Sequence, residues 1–484
     1  MNANLLDPLI NSSSFAATAA RPLLPAGKAF LRSTLAGVAL LLAWPLTAVH
    51  AEVFEHQLAN GLKVIVKEDH RAPVVVQQIW YKVGSMDERT GTTGVAHVLE
   101  HMMFKGTRGV PAGEFSKRIA AAGGRENAFT STDYTAYFQQ LHKSKLPLAM
   151  ELESDRMRNL TLADAEFGKE IKVVMEERRM RTDDDPHALL IEEMMATAYQ
   201  EHPYHHPVIG WMSDLQELTA GDVRAWYQRW YAPNNATLVV AGDVKADEVF
   251  KLADRYYGRV PKRTMAGRRN IGEPEQLGIK RLVVKAPAEL PYLVMSYHAP
   301  TLRDSEKDWK PYALEILAGV LDGNESARLN KSLVREQQLA SSAGAGYDST
   351  ERGPGLFILE GTPSQGKTVA ELENALREQV ALLVRDGVKE DELQRVKAQV
   401  TANEVYKRDS VFYQAMQIGQ LESIGLSYKD IPVMLKKLQA VTADQVVSVA
   451  RELLKDDNLT VAVLDPQPLS GKPKRAGGGN SHVR

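Results

Sequence analysis

Two patterns of hydrophobic positions alternate along the chain after residue 52. Short runs rich in β-branched and aromatic residues, such as 62–67 and 74–83, predict strands. Other stretches carry apolar residues every three or four positions, as from Gly94 onward, and this spacing predicts helices. Because the strands occur in adjacent pairs ahead of the helices, the pattern predicts an α+β fold in which helices pack on a mixed or antiparallel sheet.

The same order of elements occurs twice in the chain. Thr219 begins one predicted helix, and a run with the composition of a buried strand follows at Asn235. Thr442 begins another predicted helix, and a similar strand follows at Asn458. Each residue of the second pair lies 223 positions after its counterpart in the first pair. This constant offset indicates two homologous domains that arose by duplication.

A segment rich in glycine, proline and basic residues separates the two copies, and such a composition is typical of an interdomain linker. We therefore predict an N-terminal domain at 52–262, a linker at 263–279 and a homologous C-terminal domain at 280–465. The last residues, 466–484, are rich in glycine, proline, lysine and serine, and this composition predicts a disordered tail.

Composition narrows the chemistry that this chain can perform. With 484 residues, the chain is long enough for more than one hydrophobic core. Its formal net charge of -2 provides no overall positive field, which argues against nucleic acid as a partner. Because the sequence has no cysteine, it cannot form disulfides or a cysteine-ligated zinc site. Any metal ion must therefore be held by histidine, aspartate or glutamate.

The N-terminal residues have the features of an export signal. Basic residues precede the apolar run 35–46, which is too short to span a bilayer, and the small residues Val49 and Ala51 precede the predicted cleavage point. We predict a signal peptide at 1–51 and a periplasmic or secreted protein with no membrane span after processing. An uncleaved signal that anchors the protein in a membrane and a mitochondrial presequence are the alternatives.

A short motif on a predicted helix, His97-Val-Leu-Glu100-His101, carries the candidate chemistry. The two histidines are four residues apart, so on a helix they share one face and could bind one ion at about 2.0–2.1 Å. Glu100 borders that face and could accept a proton from a water on the ion without being a ligand. The H-x-x-E-H pattern is a zinc peptidase signature. The alternative is an exposed amphipathic helix whose histidines only face water.

A catalytic zinc ion also needs a third protein ligand. A candidate lies on a later helical stretch, where Glu170 and Glu177 are seven residues apart and therefore on nearly the same face. Glu176 points about 100° away from Glu177 on such a helix. Considered alone, this acidic pattern is equally typical of a solvated helix face, so the residues by themselves leave the third ligand open.

These features together resemble the pitrilysin (insulinase-like) family of zinc metallopeptidases, especially its short bacterial and mitochondrial-processing-peptidase-like branch. The resemblance implies two homologous domains that form a clamshell and one Zn²⁺ per chain, held by His97, His101 and Glu177. It further implies that Glu100 is the catalytic base and that Glu170 is a second acidic residue supporting catalysis. The offset of 76 residues from His101 to Glu177 agrees with the family's spacing and favours Glu177 over its neighbour.

The resemblance extends to the segment 123–137. In the family the equivalent strand lies at a sheet edge, and substrate peptide adds to it near the positions that match Asn127, Ala128 and Phe129. An edge strand offers backbone donors and acceptors to any peptide, which gives affinity without strict selection of side chains. The alternative interpretation of this segment is an ordinary hairpin.

The C-terminal copy departs from the family pattern. Its helix near 312–317 has no histidine, so no second zinc site is predicted. Related members supply an arginine and, seven residues later, a tyrosine that bind substrate; here Arg335 is present, but Ser342 occupies the tyrosine position. Tyr347 is close in sequence but at the wrong spacing. A serine hydroxyl is too short to replace a phenol. We therefore expect a homologous zinc-less partner chain, or a second copy of this chain in a homodimer, to supply the missing group, unless another group of this chain takes its place.

The sequence therefore predicts a zinc endopeptidase that cleaves extended peptides or unfolded segments outside the cytoplasm. A noncatalytic peptide-binding or structural subunit is the alternative. A histidine-rich segment, 202–210, could suggest another metal site, but its two prolines and loop-like composition favour a solvated connector.

Overall fold

The structure, a computed structural model, describes residues 52–265 and 267–469. The predicted signal peptide, 1–51, and residues 470–484 of the predicted tail lie outside the described residues. Two sheets covered by helices make up the fold, and each sheet has its own apolar core. This α+β architecture confirms the fold class that the hydrophobic pattern predicts.

The first sheet of the described chain has six strands: β1 (Val53–Gln57), β2 (Lys63–Glu68), β3 (Val74–Tyr81), β4 (Arg125–Thr130), β5 (Thr135–His142) and β6 (Ala236–Gly242). Their spatial order is β1-β2-β6-β3-β5-β4. β2 and β6 are parallel, and the other neighbours are antiparallel. All residues of β6 are buried, which explains its mostly apolar sequence. β4 lies at an edge and pairs only with β5.

The second sheet repeats this arrangement with five strands: β7 (Lys280–Pro287), β8 (Tyr292–Ala299), β9 (Ala340–Tyr347), β10 (Gly355–Pro363) and β11 (Leu459–Gln467). Their order is β7-β11-β8-β10-β9, with β7 and β11 parallel and the other neighbours antiparallel. This is the order of the last five strands of the first sheet, as duplication requires. The predicted tail begins too early, because Pro466 and Gln467 still pair with β7.

Helices α1 to α8 belong to the first half: α1 (Val95–Met102), α2 (Glu114–Ala121), α3 (Leu146–Asn159), α4 (Asp164–Arg178), α5 (Pro186–Ala198), α6 (Met212–Glu217), α7 (Ala220–Trp230) and α8 (Ala246–Tyr257). A π-helical turn, Arg179–Asp183, continues α4. The second half contributes α9 to α14: α9 (Lys310–Asp322), α10 (Val369–Asp386), α11 (Glu390–Lys407), α12 (Val411–Ile424), α13 (Ile431–Ala440) and α14 (Ala443–Leu453).

The two helix starts that revealed the repeat are confirmed. The hydroxyl oxygen of Thr219 accepts a hydrogen bond from the backbone N–H of Asp222 at 3.3 Å, so α7 begins directly after Thr219. Thr442 accepts from the backbone N–H of Gln445 at 3.2 Å, and α14 begins directly after it. Both threonines satisfy an N–H group that a helix start leaves without a partner in the helix itself. Equivalent caps thus begin equivalent helices in the two halves.

Each half also covers the sheet of the other half with one helix. Leu190, Met194 and Ala198 of α5 belong to an apolar cluster with residues of β8 and β11 in the second sheet. In return, Ala415 and Ile418 of α12 pack against residues of β3 and β6 in the first sheet. This exchange of helices ties the two halves together through buried apolar surface, which the linear pattern of the sequence does not reveal.

A glycine makes the contact of α12 with the first sheet possible, and we expect Gly419→Ala to destabilise the fold. A β-carbon at Gly419 would lie 2.1 Å from the indole ring of Trp80, so the helix must shift outward. The expected loss in the free energy of unfolding is about 1–3 kcal/mol, measured by thermal or chemical denaturation. Gly168→Ala on α4 is the matched control: nothing lies within 4 Å, so it should stabilise by about 0.5–1 kcal/mol. Equal stability of the two variants would contradict this packing.

Within the described ranges, no helix has both the length and the apolar character that a membrane crossing requires.

Candidate metal centre

The first two candidate ligands lie on α1, a helix with one apolar face and one face that carries histidines. One face packs into the first core through buried apolar residues: Val95, Ala96, Val98, Leu99 and Met102. The opposite face carries His97 and His101, one helical turn apart, with ring centroids 4.8 Å from each other. Because the apolar face fixes the rotation of the helix, both imidazoles are held on the same side of α1.

The third candidate ligand comes from α4. One carboxylate oxygen of Glu177, Oε2, lies 3.3 Å from Nε2 of His101 and 3.9 Å from Nε2 of His97. Its other oxygen, Oε1, lies 2.8 Å from the guanidinium of Arg181 in the π-helical turn. One potential ligand atom from each of the three residues lies within 4.8 Å of the others, and no other such group was found among residues 52–265 and 267–469.

The donor set fits a catalytic zinc ion. Two imidazoles and one carboxylate are a known ligand combination for such ions. Ligand atoms at about 2.0–2.1 Å from a tetrahedral ion are about 3.3 Å apart. The Glu177–His101 contact, at 3.3 Å, already has this length, and the Glu177–His97 contact, at 3.9 Å, would shorten around an ion. Glu176, by contrast, is exposed and pairs with Arg179 at the surface. The structure therefore places Glu177 and not Glu176 beside the two histidines.

Charges within this cluster shift the pKa values of its members. Burial, together with the neighbouring His101, lowers the pKa of His97 to about 3. Burial by itself would lower the pKa of His101, but its contacts with Glu170 and Glu177 raise it to about 9. Burial would raise the pKa of Glu177, yet the hydrogen bond to His101 and the nearby charges lower it to about 2. At neutral pH the Glu177 carboxylate is ionised, and His101 carries a proton that a bound metal ion would displace, because a ligating imidazole must be neutral.

Glu170 lies behind His101. Its Oε2 is 3.3 Å from Nδ1 of His101, the ring nitrogen that faces away from Glu177, and its Oε1 is 2.6 Å from the ammonium of Lys105. A carboxylate at this nitrogen fixes the ring orientation and leaves Nε2 free for an ion. Sequence reasoning found Glu170 but missed Lys105, whose only signal was its position four residues after His101.

Glu100 connects the metal-ligand helix to the edge strand. Its Oε2 accepts a hydrogen bond of 2.6 Å from the hydroxyl of Thr130, the last residue of β4. Burial raises the pKa of Glu100, and the Thr130 hydrogen bond offsets part of this increase. The candidate base is thus held beside the strand that was predicted to bind peptide, and Thr130 is a second contact that sequence reasoning missed.

Among residues 52–265 and 267–469, the predicted substrate-binding strand β4 pairs only with β5, which leaves its other edge free in this part of the chain. Asn127 is exposed on this strand, whereas Ala128 is buried in the first core. Phe129 contacts the indole of Trp80 edge to face, with ring centroids 5.4 Å apart. The side chain of Phe129 therefore helps to hold the strand in place, and the free backbone edge is what β4 can offer to a peptide.

The residues considered in the second half lie on a helical turn and on the edge strand β9. Arg335 is exposed on a π-helical turn, Asn330–Glu336, and no hydrogen bond or ion pair links it to the described residues of the cluster. Ser342 is exposed on the edge strand β9. The hydroxyl of Tyr347 donates a hydrogen bond to the carbonyl of Pro300, so this tyrosine is engaged elsewhere.

The prediction that the histidine-rich loop is a solvated connector is wrong. His202 is 2% exposed and His206 is 5% exposed, and Tyr204 between them is also buried. The hydroxyl of Tyr204 donates a 2.6 Å hydrogen bond to Asp133 in the turn between β4 and β5. The two prolines correctly indicated the absence of a strand or an α-helix, since the loop contains only a short 3-10 helix, Pro203–His205. Burial, however, depends on what packs over the loop.

With this geometry established, comparison with known proteins identifies the family. Residues 63–210 match the family model for the insulinase peptidases, family M16, and residues 217–400 match the model described as the M16 inactive domain. Zinc protease PqqE of Helicobacter pylori is 32% identical over 456 residues, which cover 91% of this chain and 100% of the relative. A zinc protease of Mycobacterium leprae, ML0855, named as uncharacterized, is 29% identical and covers 86% of this chain and 92% of its own.

Solved structures agree with this assignment. The crystal structure of a protease from Helicobacter pylori has a TM-score of 0.81 at 29% identity and covers 86% of this chain and 100% of that chain. The first half of the periplasmic protease PqqL from Escherichia coli shares the fold, with a TM-score of 0.71 at 20% identity, covering 85% of this chain and 91% of its own. The chain therefore belongs to the insulinase family of peptidases, family M16, as the resemblance in the sequence predicted.

Proposed function

We infer that this protein is a zinc-dependent endopeptidase that cleaves extended peptides or unfolded polypeptide segments. The observation that carries this proposal is the position of Glu177 Oε2, which faces Nε2 of both His97 and His101 while Glu100 borders the same helix face. The names of the relatives, zinc proteases, support the same activity.

The proposed roles follow from these contacts. His97, His101 and Glu177 hold one Zn²⁺ per chain, which when bound lowers the pKa of a water to about 7 and polarises the peptide carbonyl. Glu100 takes the proton from the attacking water and later gives it to the leaving amine. Glu170 holds His101 through Nδ1 and keeps Nε2 directed at Glu177.

Substrate binding is proposed at the free edge of β4. A peptide that adds there as an antiparallel strand would pass Asn127, Ala128 and Phe129 and run toward Thr130, which contacts Glu100. Affinity would come mainly from backbone hydrogen bonds, so the enzyme would accept unfolded segments of varied sequence and reject folded ones. Arg335 is proposed to bind substrate from the second half.

A second subunit is proposed to complete the site. Ser342 cannot supply a phenol, and the hydroxyl of Tyr347 is engaged with Pro300, so a tyrosine is expected from a homologous zinc-less chain or from a second copy of this chain. The architecture of PqqL is consistent with this view: this chain's fold covers 48% of the complete PqqL chain but 91% of its first half. A complete member can thus contain about twice the length of this chain.

Export from the cytoplasm is proposed from the predicted signal peptide at 1–51. The neighbour PqqL is described as a periplasmic protease, which favours a periplasmic or secreted location over the membrane-anchored and mitochondrial alternatives. We further propose that the chain divides functionally into the zinc-bearing domain at 52–262 and the zinc-free domain at 280–465, joined by the linker at 263–279.

The test of the proposed function is metal analysis combined with peptide cleavage. The mature protein, purified after expression of the full chain, should contain one zinc per chain and cleave a quenched peptide library, and a chelator should stop cleavage until zinc is restored. Addition of any co-purifying homologue should raise the rate if the partner supplies a missing group. Peptide binding without cleavage, or absence of zinc, would favour the noncatalytic subunit instead.

A further inference from the structure

A buried polar cluster lies between the two helices that carry the candidate ligands. It consists of Glu88, Arg178, Glu192 and the loop 206–211, and it is called the register cluster here. The side chain of Glu88 is 0% exposed, and those of Arg178 and Glu192 are each 6% exposed. None of these residues touches the metal-ligand atoms, so the proposed mechanism leaves their burial unexplained. Charges buried in this way lose their contact with water, and this cost must be offset by partners of opposite charge and by hydrogen bonds.

Arg178 ties the end of α4 to the loop. It follows Glu177 directly in the sequence, and its two terminal nitrogens bind both carboxylate oxygens of Glu192 on α5 at 2.8 and 2.6 Å. The nitrogen Nη1 also donates a 3.0 Å hydrogen bond to the carbonyl of Gly210. A planar guanidinium that is held by two oxygens has little freedom, so Gly210 is fixed relative to Glu177.

Glu88 fixes the other ligand-bearing helix at its first turn. The N-cap residue of α1, Gly94, has no side chain that could satisfy the free N–H groups of the helix start. Instead, the two oxygens of Glu88 accept hydrogen bonds from the backbone N–H groups of Gly94 and Ala96, each at 2.8 Å. The Glu88 carboxylate thus fixes the start of α1 at its N-cap, Gly94. His97 lies in the first helical turn that follows.

The loop joins these two anchors by direct backbone contact. A β-carbon on Gly94 would lie 2.5 Å from the carbonyl oxygen of Ile209, and one on Gly210 would lie 2.5 Å from the carbonyl oxygen of Thr93. The backbone N–H of Trp211 donates a 3.0 Å hydrogen bond to the hydroxyl of Thr93. Two glycines in contact leave no space for relative sliding, so the start of α1 is locked against the end of α4.

We propose that Arg178 is a positioning residue that, through Gly210, sets the separation of α1 and α4 and thereby the spacing of the three zinc ligands. This rests on the proposed function, because it assumes that His97, His101 and Glu177 bind one ion. The two histidines come from one helix and the glutamate from another, so helix geometry alone cannot fix the distance between them. The register cluster is a second polar connection between the two helices, beside the contact of Glu170 on α4 with His101 on α1.

The test measures zinc affinity in a variant that lacks the buried ion pair. Arg178→Met combined with Glu192→Leu removes both charges, so no unpaired charge is left in the interior and the fold should be retained. We expect its affinity for Zn²⁺, from competition with a chromophoric chelator, to fall by about 10- to 100-fold. The absorption spectrum of the Co²⁺-loaded protein should change as well, because it reports ligand geometry directly.

Two further variants make the result decisive. Arg179→Met is the matched control, since Arg179 is 49% exposed and pairs only with Glu176 at the surface; its affinity and spectrum should equal those of the wild type. Arg178→Lys keeps the charge beside Glu192 but lacks the planar fork that reaches Glu192 and Gly210 together. We therefore expect a smaller loss of zinc affinity than in the double variant. If the double variant does not fold, the Arg178→Lys variant is measured in its place.

A purely structural role gives a different pattern. In that case the folded Arg178 variants would have a lower unfolding midpoint in the metal-free state but the affinity and Co²⁺ spectrum of the wild type, and the proposal would be overturned. A wild-type protein that binds no zinc would instead overturn the proposed function itself. The two failures are therefore distinguishable.

Discussion

Glu100→Gln should lower kcat for peptide cleavage by about 10²- to 10⁴-fold while the zinc content stays at one per chain. The reason is that glutamine keeps the size of the side chain and an oxygen that can accept the hydrogen bond from Thr130, so the helix and strand remain in contact. Only the ability to take a proton is lost. Because binding at the β4 edge is unaffected, KM should change little. The measurement is steady-state cleavage of a quenched peptide, with metal analysis of the same samples.

Glu176→Gln is the control for this experiment. Its side chain is 61% exposed and pairs with Arg179 outside the cluster, so the substitution should leave both cleavage and zinc content as in the wild type. If the Glu100→Gln protein carried zinc and cleaved at the wild-type rate, another group would have to be the proton acceptor. The metal-ligand cluster itself would remain possible in that case.

The second large effect is expected from Glu177→Ala. This change removes the carboxylate oxygen that faces both imidazoles and leaves only two protein ligands for zinc. The loss of zinc affinity should exceed the about 10- to 100-fold that removal of an outer partner causes. Cleavage should be lost at zinc concentrations that saturate the wild type. Chelator competition and calorimetric titration with Zn²⁺ measure the affinity.

Glu176→Ala tests the choice between the two adjacent glutamates. The helix turns these side chains about 100° apart, so the second substitution should have no effect on zinc affinity. Equal losses in both variants would point to damage of α4 as a whole, and a loss confined to Glu176→Ala would reverse the ligand assignment.

Local patterns in the sequence predicted those features that depend on neighbours in the chain. The spacing of His97 and His101 places both rings on one helix face because helix geometry is local. The threonines at 219 and 442 mark helix starts because capping involves residues only three positions apart. The mostly apolar sequence of β6 indicated a buried strand, because both faces of such a strand are covered.

Features that depend on distant parts of the chain were predicted only through resemblance or were missed. The spacing of acidic residues on α4 is the same whether one of them is a metal ligand or all of them face solvent. The sequence pattern alone therefore could not identify Glu177 as the third ligand. The loop 202–206 has the composition of an exposed turn, yet it is buried between elements from both halves. Arg178 carries no recognisable spacing, because its partners are contributed by another helix and by a distant loop.

The sequence by itself determined the duplicated order of elements, the two histidines and the candidate base, because each of these follows from periodicity within a few turns or strands. The tertiary structure decided which acid meets the histidines, which helices cross between the halves and which polar groups are buried. These features depend on how distant helices pack, as with His101 on α1 and Glu177 on α4, 177 − 101 = 76 residues apart. Such packing is set by long-range contacts that no local pattern specifies.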